Sequence, residues 1–454
     1  MSYVPAADDP AADSAVAGRA SGPTATRPTA AVLVTGSELL TGLVRDANGP
    51  YLARELGALG FEVSELMLVG DRPEDLRSAL EFVAGNGAEL VITSGGLGPT
   101  ADDLTAEVVA GFCGVGSRLD PGVQETINAK TARWASRGGF DGPALEAATR
   151  KQSMVPEGAS VLEPVGTAPG LVLRGTSGPL VVVLPGPPRE LQGMWPSALT
   201  SPPMAALLAG VQHAEPRLLR FFGLPESEIA ATLREIETSG GFPELARVEV
   251  TTCLRRSELE VDLHPLPGAE KTADALAEEI ITRHRRNLVS ADGTTTDELL
   301  ARVLGEHGLT VATGESCTGG LLAGRLVDRP GSSSYVSGGV VAYSNEAKTS
   351  LLGVPAELIG THGAVSPEVA RALADGARER FGTDIGIGIT GVAGPDGGTE
   401  AKPVGYVCIC VTTREGGVLA RDRQLPGGRS DVRERSVDMG MHLLLRAAGG
   451  LPRG

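Results

Sequence analysis

Aromatic side chains make up only 3% of this 454-residue chain, and five cysteines and six histidines are scattered along it. The cysteines (Cys113, Cys253, Cys317, Cys408, Cys410) are odd in number and none stands at a metal-binding spacing; Cys408 and Cys410 alternate within an apparent strand. Neither a disulfide framework nor a zinc site is indicated. Basic residues are outnumbered, 40 Lys and Arg against 56 Asp and Glu, and the net charge of −16 repels a phosphate backbone. General nucleic-acid binding is therefore disfavoured. No run of about 18 apolar residues is available to span a bilayer, and no apolar h-region follows Met1. A cytoplasmic protein without membrane contact is expected. What the chain has in quantity is 62 Gly and 31 Pro, hence many turns, and 41% hydrophobic residues, enough for sizeable cores. At about 150 residues per domain the length suggests about three domains.

Residues 1–29 are rich in Ala, Pro, Asp and Ser and bury too little to offset their ordering entropy, so they read as a disordered tail. Strand and helix then alternate: strand 31–34, helix 46–59, strand 63–69, helix 74–83, strand 90–93, and a helix starting near Asp102. That rhythm argues for a doubly wound α/β domain over residues 30–205, with 180–184 as a further buried strand. Residues 206–292 change rhythm: strand, helix, two paired strands, helix. They read as a small α+β spacer domain. A K-homology-like topology is compatible with it, but the GXXG clamp of such RNA binders is absent. A second doubly wound α/β domain is expected over residues 293–454, with strands 310–313, 339–343, 385–389 and 405–411. Its helix 367–381 is announced by Ser366 as N-cap and Pro367 at the first helical position.

Two loops of the first domain fall at the carboxyl ends of strands, where open α/β sheets bind ligands. They are Thr35-Gly36-Ser37-Glu38 and Ser94-Gly95-Gly96-Leu97-Gly98-Pro99-Thr100-Ala101-Asp102-Asp103. Glycines let backbone N–H groups approach a phosphate. Asp102 and Asp103 would repel a bare phosphate, which suggests a divalent cation between them. The same residues also suit a simple turn and a helix N-cap.

These segments, with residues 31–60, 166–170 and 184–190, resemble the molybdopterin-binding-like domain of the competence/damage-inducible CinA family. The resemblance implies hydrolysis of ADP-ribose dependent on a divalent cation (Mg2+, Mn2+ or Co2+). Asp102 and Asp103 would hold the metal, the glycine loops would hold the diphosphate, and Asp46 and Asn48 would line the same crevice. Binding of a nucleotide or molybdopterin without hydrolysis would use the same cradle.

In the last domain, Glu315-Ser316-Cys317-Thr318-Gly319-Gly320 lies between a strand and a helix. A serine there is expected at a helix N-terminus, where N–H groups can stabilise an oxyanion. It needs a base, and no Asp–His pattern is evident. The following strand ends in Tyr343-Ser344-Asn345-Glu346-Ala347-Lys348. If the two strands are neighbours, Lys348 approaches Ser316 from the same edge; to act as a base it must be neutral, which requires desolvation or a nearby cation. The plain alternative is a helix-capping Ser316 with a solvated Lys348. Cys317 is a rival nucleophile or a packing residue. The small residues Thr390, Gly391, Ala393 and Gly394 follow a strand and suit a phosphate nest or an ordinary turn.

Residues 296–445 resemble the CinA C-terminal domain. The resemblance implies a nicotinamide mononucleotide amidohydrolase that needs no cofactor and releases nicotinic acid mononucleotide and ammonia. Ser316 and Lys348 fall on the family's catalytic pair. Tyr343, Asn345 and Thr318 would line the nicotinamide pocket beside Cys317, Gly319 and Gly320, and Arg429 would pair the phosphate. It also implies a homo-oligomer, a dimer by expectation, working in pyridine-nucleotide recycling. The alternative to an enzyme is a binding module, or an interaction protein linked to competence or DNA damage.

Overall fold

The computed structural model describes residues 27–138, 142–242 and 244–451, and the chain divides into two compact units, residues 1–213 and 214–454. Most of the expected tail, residues 1–26, lies outside the described residues. Its end does not: Thr29 already opens a strand.

The first unit is built on a six-stranded sheet. In chain order its elements are β1 (Thr29–Thr35), α1 (Ser37–Leu40), α2 (Asn48–Ala58), β2 (Glu62–Val69), α3 (Pro73–Gly85), β3 (Leu90–Ser94), α4 (Thr105–Phe112), β4 (Ser117–Leu119), α5 (Pro121–Gly138), α6 (Pro143–Gln152), β5 (Met154–Pro156), β6 (Ser160–Leu162), β7 (Gly170–Arg174), β8 (Leu180–Leu184), α7 (Pro188–Thr200) and α8 (Pro202–Leu208). The sheet order is β2-β1-β3-β8-β7-β6, while β4 and β5 form a separate ribbon. Strands β2, β1, β3 and β8 are parallel, β7 is antiparallel to β8, and β6 is antiparallel to β7. The central strands β3 and β8 are buried along their whole length, as continuous apolar runs covered on both faces must be. The edge strand β2 instead alternates exposed and half-buried residues. One apolar layer packs Leu33, Leu80, Val91 and Val183 under α3 and α4; the opposite layer packs Val32, Leu56, Ile92 and Trp195 under α2 and α7. The indole of Trp195 is buried and donates to Glu55 Oε2 at 3.0 Å, so burial leaves no orphaned donor.

The second unit holds two sheets. The first comprises β9 (Arg217–Phe222), β10 (Val248–Arg255), β11 (Glu258–Pro265) and β12 (Leu288–Ser290), ordered β10-β11-β9-β12 and wholly antiparallel, with α9 (Glu226–Ser239) and α10 (Glu270–Arg283) packed on it. The second follows as α11 (Thr296–His307), β13 (Val311–Glu315), α12 (Leu321–Val327), β14 (Val336–Val341), α13 (Asn345–Leu352), α14 (Ala356–His362), α15 (Pro367–Phe381), β15 (Ile385–Gly391), β16 (Tyr406–Thr413), β17 (Val418–Gln424) and α16 (Arg429–Ala447). Its order is β14-β13-β15-β16-β17; the first three are parallel, β16 is antiparallel to β15, and β17 is antiparallel to β16. Helix α15 starts where its sequence signal places it: Ser366 accepts the Val369 N–H at 3.2 Å and Pro367 follows. It lies directly on β15, because a Cβ on Gly386 or Gly388 would collide with the Ala374 or Ala370 carbonyl of α15. Among the described residues no helix is long and apolar enough to cross a membrane.

Both parallel cores place their first strand between the second and third. The chain leaves β1 toward β2 on one side and returns to β3 on the other; β13, β14 and β15 repeat this. Such a reversal opens a crevice at the carboxyl ends of the two strands. The loops after β1 and β3, and those after β13 and β15, flank these crevices.

Candidate active sites

In the first unit, the loops after β1, β2 and β3 meet around one small hollow lined by Thr35, Asp71, Gly96 and Asp102. Ser37 donates its N–H (2.7 Å) and its hydroxyl (2.6 Å) to Asp71 Oδ2, so both donors are turned to a carboxylate. Gly36 hydrogen-bonds to Val69 O, and the exposed Glu38 folds its carboxylate back toward Gly36. Gly95 and Gly96 are left-handed (φ 109° and 65°), and a Cβ on Gly96 would collide with Thr105 Oγ1. Gly98 likewise leaves room for the Asp103 carboxylate.

The carboxylate pair is arranged around Thr100, next to the exposed Pro99. Thr100 Oγ1 lies 2.5 Å from both Asp102 Oδ1 and Asp103 Oδ2, and its N–H donates to Asp103 Oδ2 at 2.8 Å. A hydroxyl has one proton and can satisfy one of the two oxygens. Two acids crowding one oxygen leave negative charge for a cation to neutralise. The Thr100 bond, then the Asp102 N–H and Lys151, hold the Asp102 carboxyl below the usual range. These turn bonds keep residues 100–104 out of the helix, so α4 begins at Thr105 rather than near Asp102. Among the described residues no group of three or more His, Cys, Asp or Glu side chains is placed to hold a metal. Two carboxylates with substrate and water completing the shell is an arrangement suited to a magnesium-like ion. Asp46 caps α2 by accepting the Asn48 and Gly49 N–H groups at 2.9 and 3.1 Å. Buried Asn48 donates to Ser94 Oγ (2.9 Å) and Gly186 O (2.6 Å), and its Oδ1 has no partner. Beside the loop lies a cavity of about 470 Å³, lined by Gly96, Asp103, Glu107, Lys151 and Met154 among others. Lys151 reaches the Thr100 carbonyl and fixes the loop from α6.

In the second unit Ser316 follows β13, 7% exposed, with its N–H donated to Ile389 O of β15 at 2.9 Å. On its other side Ala342 N donates to Glu315 O at 2.7 Å, so the chain after β14 continues alongside. The expected helix N-terminus is not at Ser316. Helix α12 starts at Leu321, and buried Glu315 is its acceptor: its carboxylate takes the N–H groups of Gly320 (3.0 Å), Leu322 (3.1 Å) and Ala323 (2.8 Å). Ser316 is thereby released from capping. The Gly319 N–H returns to Ser316 O at 3.1 Å, while Arg433 of α16 grips the Cys317 and Thr318 carbonyls. Thr318 Oγ1 is buried without a partner.

Lys348 is not a solvated surface residue but 2% exposed, and Nζ donates to Tyr343 O at 2.9 Å. Burial lowers its pKa, opposed by Cys317 and Glu346. Among the described residues no carboxylate lies within ion-pair distance of it. Burial pushes the Cys317 thiol up to about 12. Tyr343 is 60% exposed; its hydroxyl meets Arg429 Nη2 at 3.1 Å, and Arg429 Nη1 donates to Gly394 O at 2.7 Å. The guanidinium thus joins two of the expected binding segments. Asn345 is exposed at the start of α13, behind the N-cap Ser344. Gly391 backs onto Cys317 Sγ, Ala393 is buried, and Thr390 donates its hydroxyl to Ala364 O at 2.8 Å, which makes it a strut for that loop.

A CinA-like protein of Mycolicibacterium gilvum (strain PYR-GCK) is 54% identical to this chain over 423 residues, covering 93% of this chain and 99% of that protein. The chain belongs to the CinA family. Another CinA-like protein, from Mycobacterium tuberculosis (strain ATCC 25177 / H37Ra), is 49% identical over 427 residues, 93% of this chain and 98% of the relative. Residues 293–448 match the CinA C-terminal domain and residues 31–205 a probable molybdopterin binding domain. Among solved structures, the competence/damage inducible protein CihA from Agrobacterium tumefaciens is 40% identical, covering 34% of this chain and 95% of its own, with a TM-score of 0.33.

Four residues of this CinA-family chain that shape the sites were assigned no role from the sequence: Asp71, Lys151, Glu315 and Arg433. Asp71 lies in the loop just after β2, the strand neighbouring β1, so the doubly wound pattern itself pointed to it. Glu315 lies inside a motif, but an acid before a turn carries no signal of its own for this role. Lys151 and Arg433 act across 51 and 115 residues and had none.

Proposed function

We propose that this CinA-family chain is a bifunctional hydrolase of pyridine-nucleotide turnover. Its second unit would hydrolyse the carboxamide of nicotinamide mononucleotide, and its first would cleave the diphosphate of ADP-ribose. The observation carrying the reading is Lys348: a buried amine, held by a carbonyl rather than a carboxylate, in the helix that follows β14, the strand paired with the one that ends before Ser316. Burial that outweighs the opposing pull of Cys317 and Glu346 favours the neutral amine that a serine nucleophile needs.

Lys348 Nζ takes the Ser316 Oγ proton as that oxygen attacks the carboxamide carbon. The Cys317 and Thr318 N–H groups are not taken by a carbonyl or carboxylate of the turn, unlike those of Gly319 and Gly320; they point at the Cys317 sulfur, a weak acceptor, and would be available to the developing oxyanion. The proton returns to the leaving nitrogen, ammonia departs, and water releases nicotinic acid mononucleotide. Arg429 and residues 391–394 would meet the phosphate, and Thr318 Oγ1 the nicotinamide. In the first unit a divalent cation on Asp102 and Asp103 would neutralise diphosphate charge. There the left-handed Gly95 and Gly96 allow close approach of the phosphates, and Lys151 keeps the loop in place.

The test is direct. Ammonia release from nicotinamide mononucleotide without metal, and AMP release from ADP-ribose only with metal, are expected. Absence of ammonia release from the intact protein would overturn the amidohydrolase reading.

A further inference from the structure

A cleft of about 440 Å³ in the second unit lies away from Ser316, between the β10–β11 hairpin, the start of α11 and the end of α12. Five arginines line it: Arg220, Arg255, Arg256, Arg325 and Arg329. This density of basic charge is unexpected in a chain of net charge −16. Two of the five are committed. Arg325 is 11% exposed and binds Asp297 at 2.7 Å and Asp438 at 2.6 Å; Arg220, equally buried, binds Glu260 at 2.6 Å.

The other three are not. Arg255, Arg256 and Arg329 are 60%, 61% and 42% exposed, and their carboxylate contacts are long, 3.3, 3.5 and 3.5 Å. Arg255 leans on Glu260 and Arg256 on Asp297, carboxylates already neutralised at shorter range by Arg220 and Arg325. Arg329 leans on Glu298, which is also engaged by Thr295 through the α11 capping box. Each guanidinium carries five donors, so most of theirs remain for something else. Asp328, exposed at the rim, is the lining acid with no partner among the described residues, and it limits the site to a strongly charged anion.

The hairpin is also built to hold its arginines there. It turns through Arg256 (φ 49°) and Ser257 (φ 59°), two non-glycine residues in the left-handed region. Such a conformation persists only when neighbours enforce it, and Ser257 Oγ is tied to Asp438 Oδ2 at 2.6 Å. Guanidinium forks match phosphate oxygens in bidentate fashion.

We propose that this cleft binds a small phosphate-class polyanion, a diphosphate or the phosphate end of a nucleotide, bridging Arg255, Arg256 and Arg329. The site is separate from both hydrolytic centres and does not depend on their assignment. The full chain, titrated calorimetrically with inorganic diphosphate without divalent cation, is expected to show a binding event that the double variant R255Q/R329Q weakens. Loss of one charge-assisted fork corresponds to about tenfold, or about 1.4 kcal/mol. D102N and R429Q, each in one of the other sites, should retain the event. E298Q keeps the capping-box acceptor but frees Arg329, and should tighten binding; it serves if the double variant fails to fold. An isotherm unchanged in R255Q/R329Q, an affinity unchanged in E298Q, or binding lost only in D102N or R429Q would overturn the proposal.

Discussion

The guanidinium Nε of Arg433 lies 3.1 Å from the carbonyl oxygen of Cys317, across 116 residues of sequence. With a second bond to Thr318 O at 2.9 Å, the last helix fixes the turn whose N–H groups would meet the oxyanion in our reading. R433Q should therefore lower kcat for ammonia release by about 10- to 100-fold with a much smaller change in KM, because misplacing an oxyanion donor is felt in the transition state. Steady-state kinetics of the variant, with a melting curve to show that it folds, check this.

Ser316 and Lys348 should behave as one unit. S316A, K348A and the double variant are expected to be about equally inactive toward nicotinamide mononucleotide. C317S should retain most activity, since a thiol whose pKa is pushed up to about 12 is not ionised near neutrality. The base must be unprotonated, so kcat/KM should rise with pH through the Lys348 pKa, which burial lowers from its ordinary value of 10.5. A nearly inactive C317S beside an active S316A would reverse the assignment.

For the first unit, D102N should abolish metal-stimulated AMP release from ADP-ribose and leave ammonia release unchanged. A chelator should reproduce that selectivity. Persistence of AMP release in D102N at ordinary metal concentration would remove Asp102 from the cation's ligands.

His442 of α16 is 3% exposed, stacked on Phe222 with ring centroids 3.7 Å apart, with Nε2 at 3.1 Å from Glu258 Oε1. Burial lowers its pKa, so the folded chain keeps it neutral, with the Nε2 proton facing the carboxylate. As pH falls below about 6.5 the unfolded chain binds a proton that the folded one refuses, and stability is lost; above that pH it is retained. Burial would raise the pKa of Glu258, but bonds from His442 and Thr296, with Arg220, hold it below 4.5, so a further loss follows as pH falls through that lowered value. Melting temperatures of wild type and H442Q between pH 7.5 and 5 test this. The variant should show a flatter profile below about pH 6.5, in the lower half of the range.

Gly96 combines φ 65° with a Thr105 hydroxyl where a Cβ would stand. G96A should cost about 2–3 kcal/mol of stability, measurable by denaturant unfolding, together with the ADP-ribose activity.

Local chemistry was readable in advance. Continuous apolar runs marked β1, β3 and β8, and Ser366-Pro367 fixed where α15 starts. The glycine loops announced the strand ends at which both sites lie. What escaped depended on partners distant in sequence. Nothing near Ser316 said that Glu315 would take over the helix cap, because an acid before a turn fits solvent equally well. The burial of Lys348 was likewise invisible: α13 is mostly polar, and only its packing at the sheet edge removes the amine from water. Strands β7 and β17 were missed, and so were the reversals of direction at β7 and β16. A strand's direction is set by the length and path of its connections rather than by its own residues.

Gly386 and Gly388 leave α15 seated on the bare main chain of β15, with no side chain between them to absorb a displacement. A helix so seated behaves as a lever. Ala364, just before it, receives the Thr390 hydroxyl at the far end of the strand, and Thr390 opens the loop that faces Ser316. A methyl group added at either glycine would lift the helix and tilt that loop. Inactivating substitutions should therefore extend along this seam to positions that never approach a substrate, and repair should come from trimming the opposing helix face rather than from the site itself.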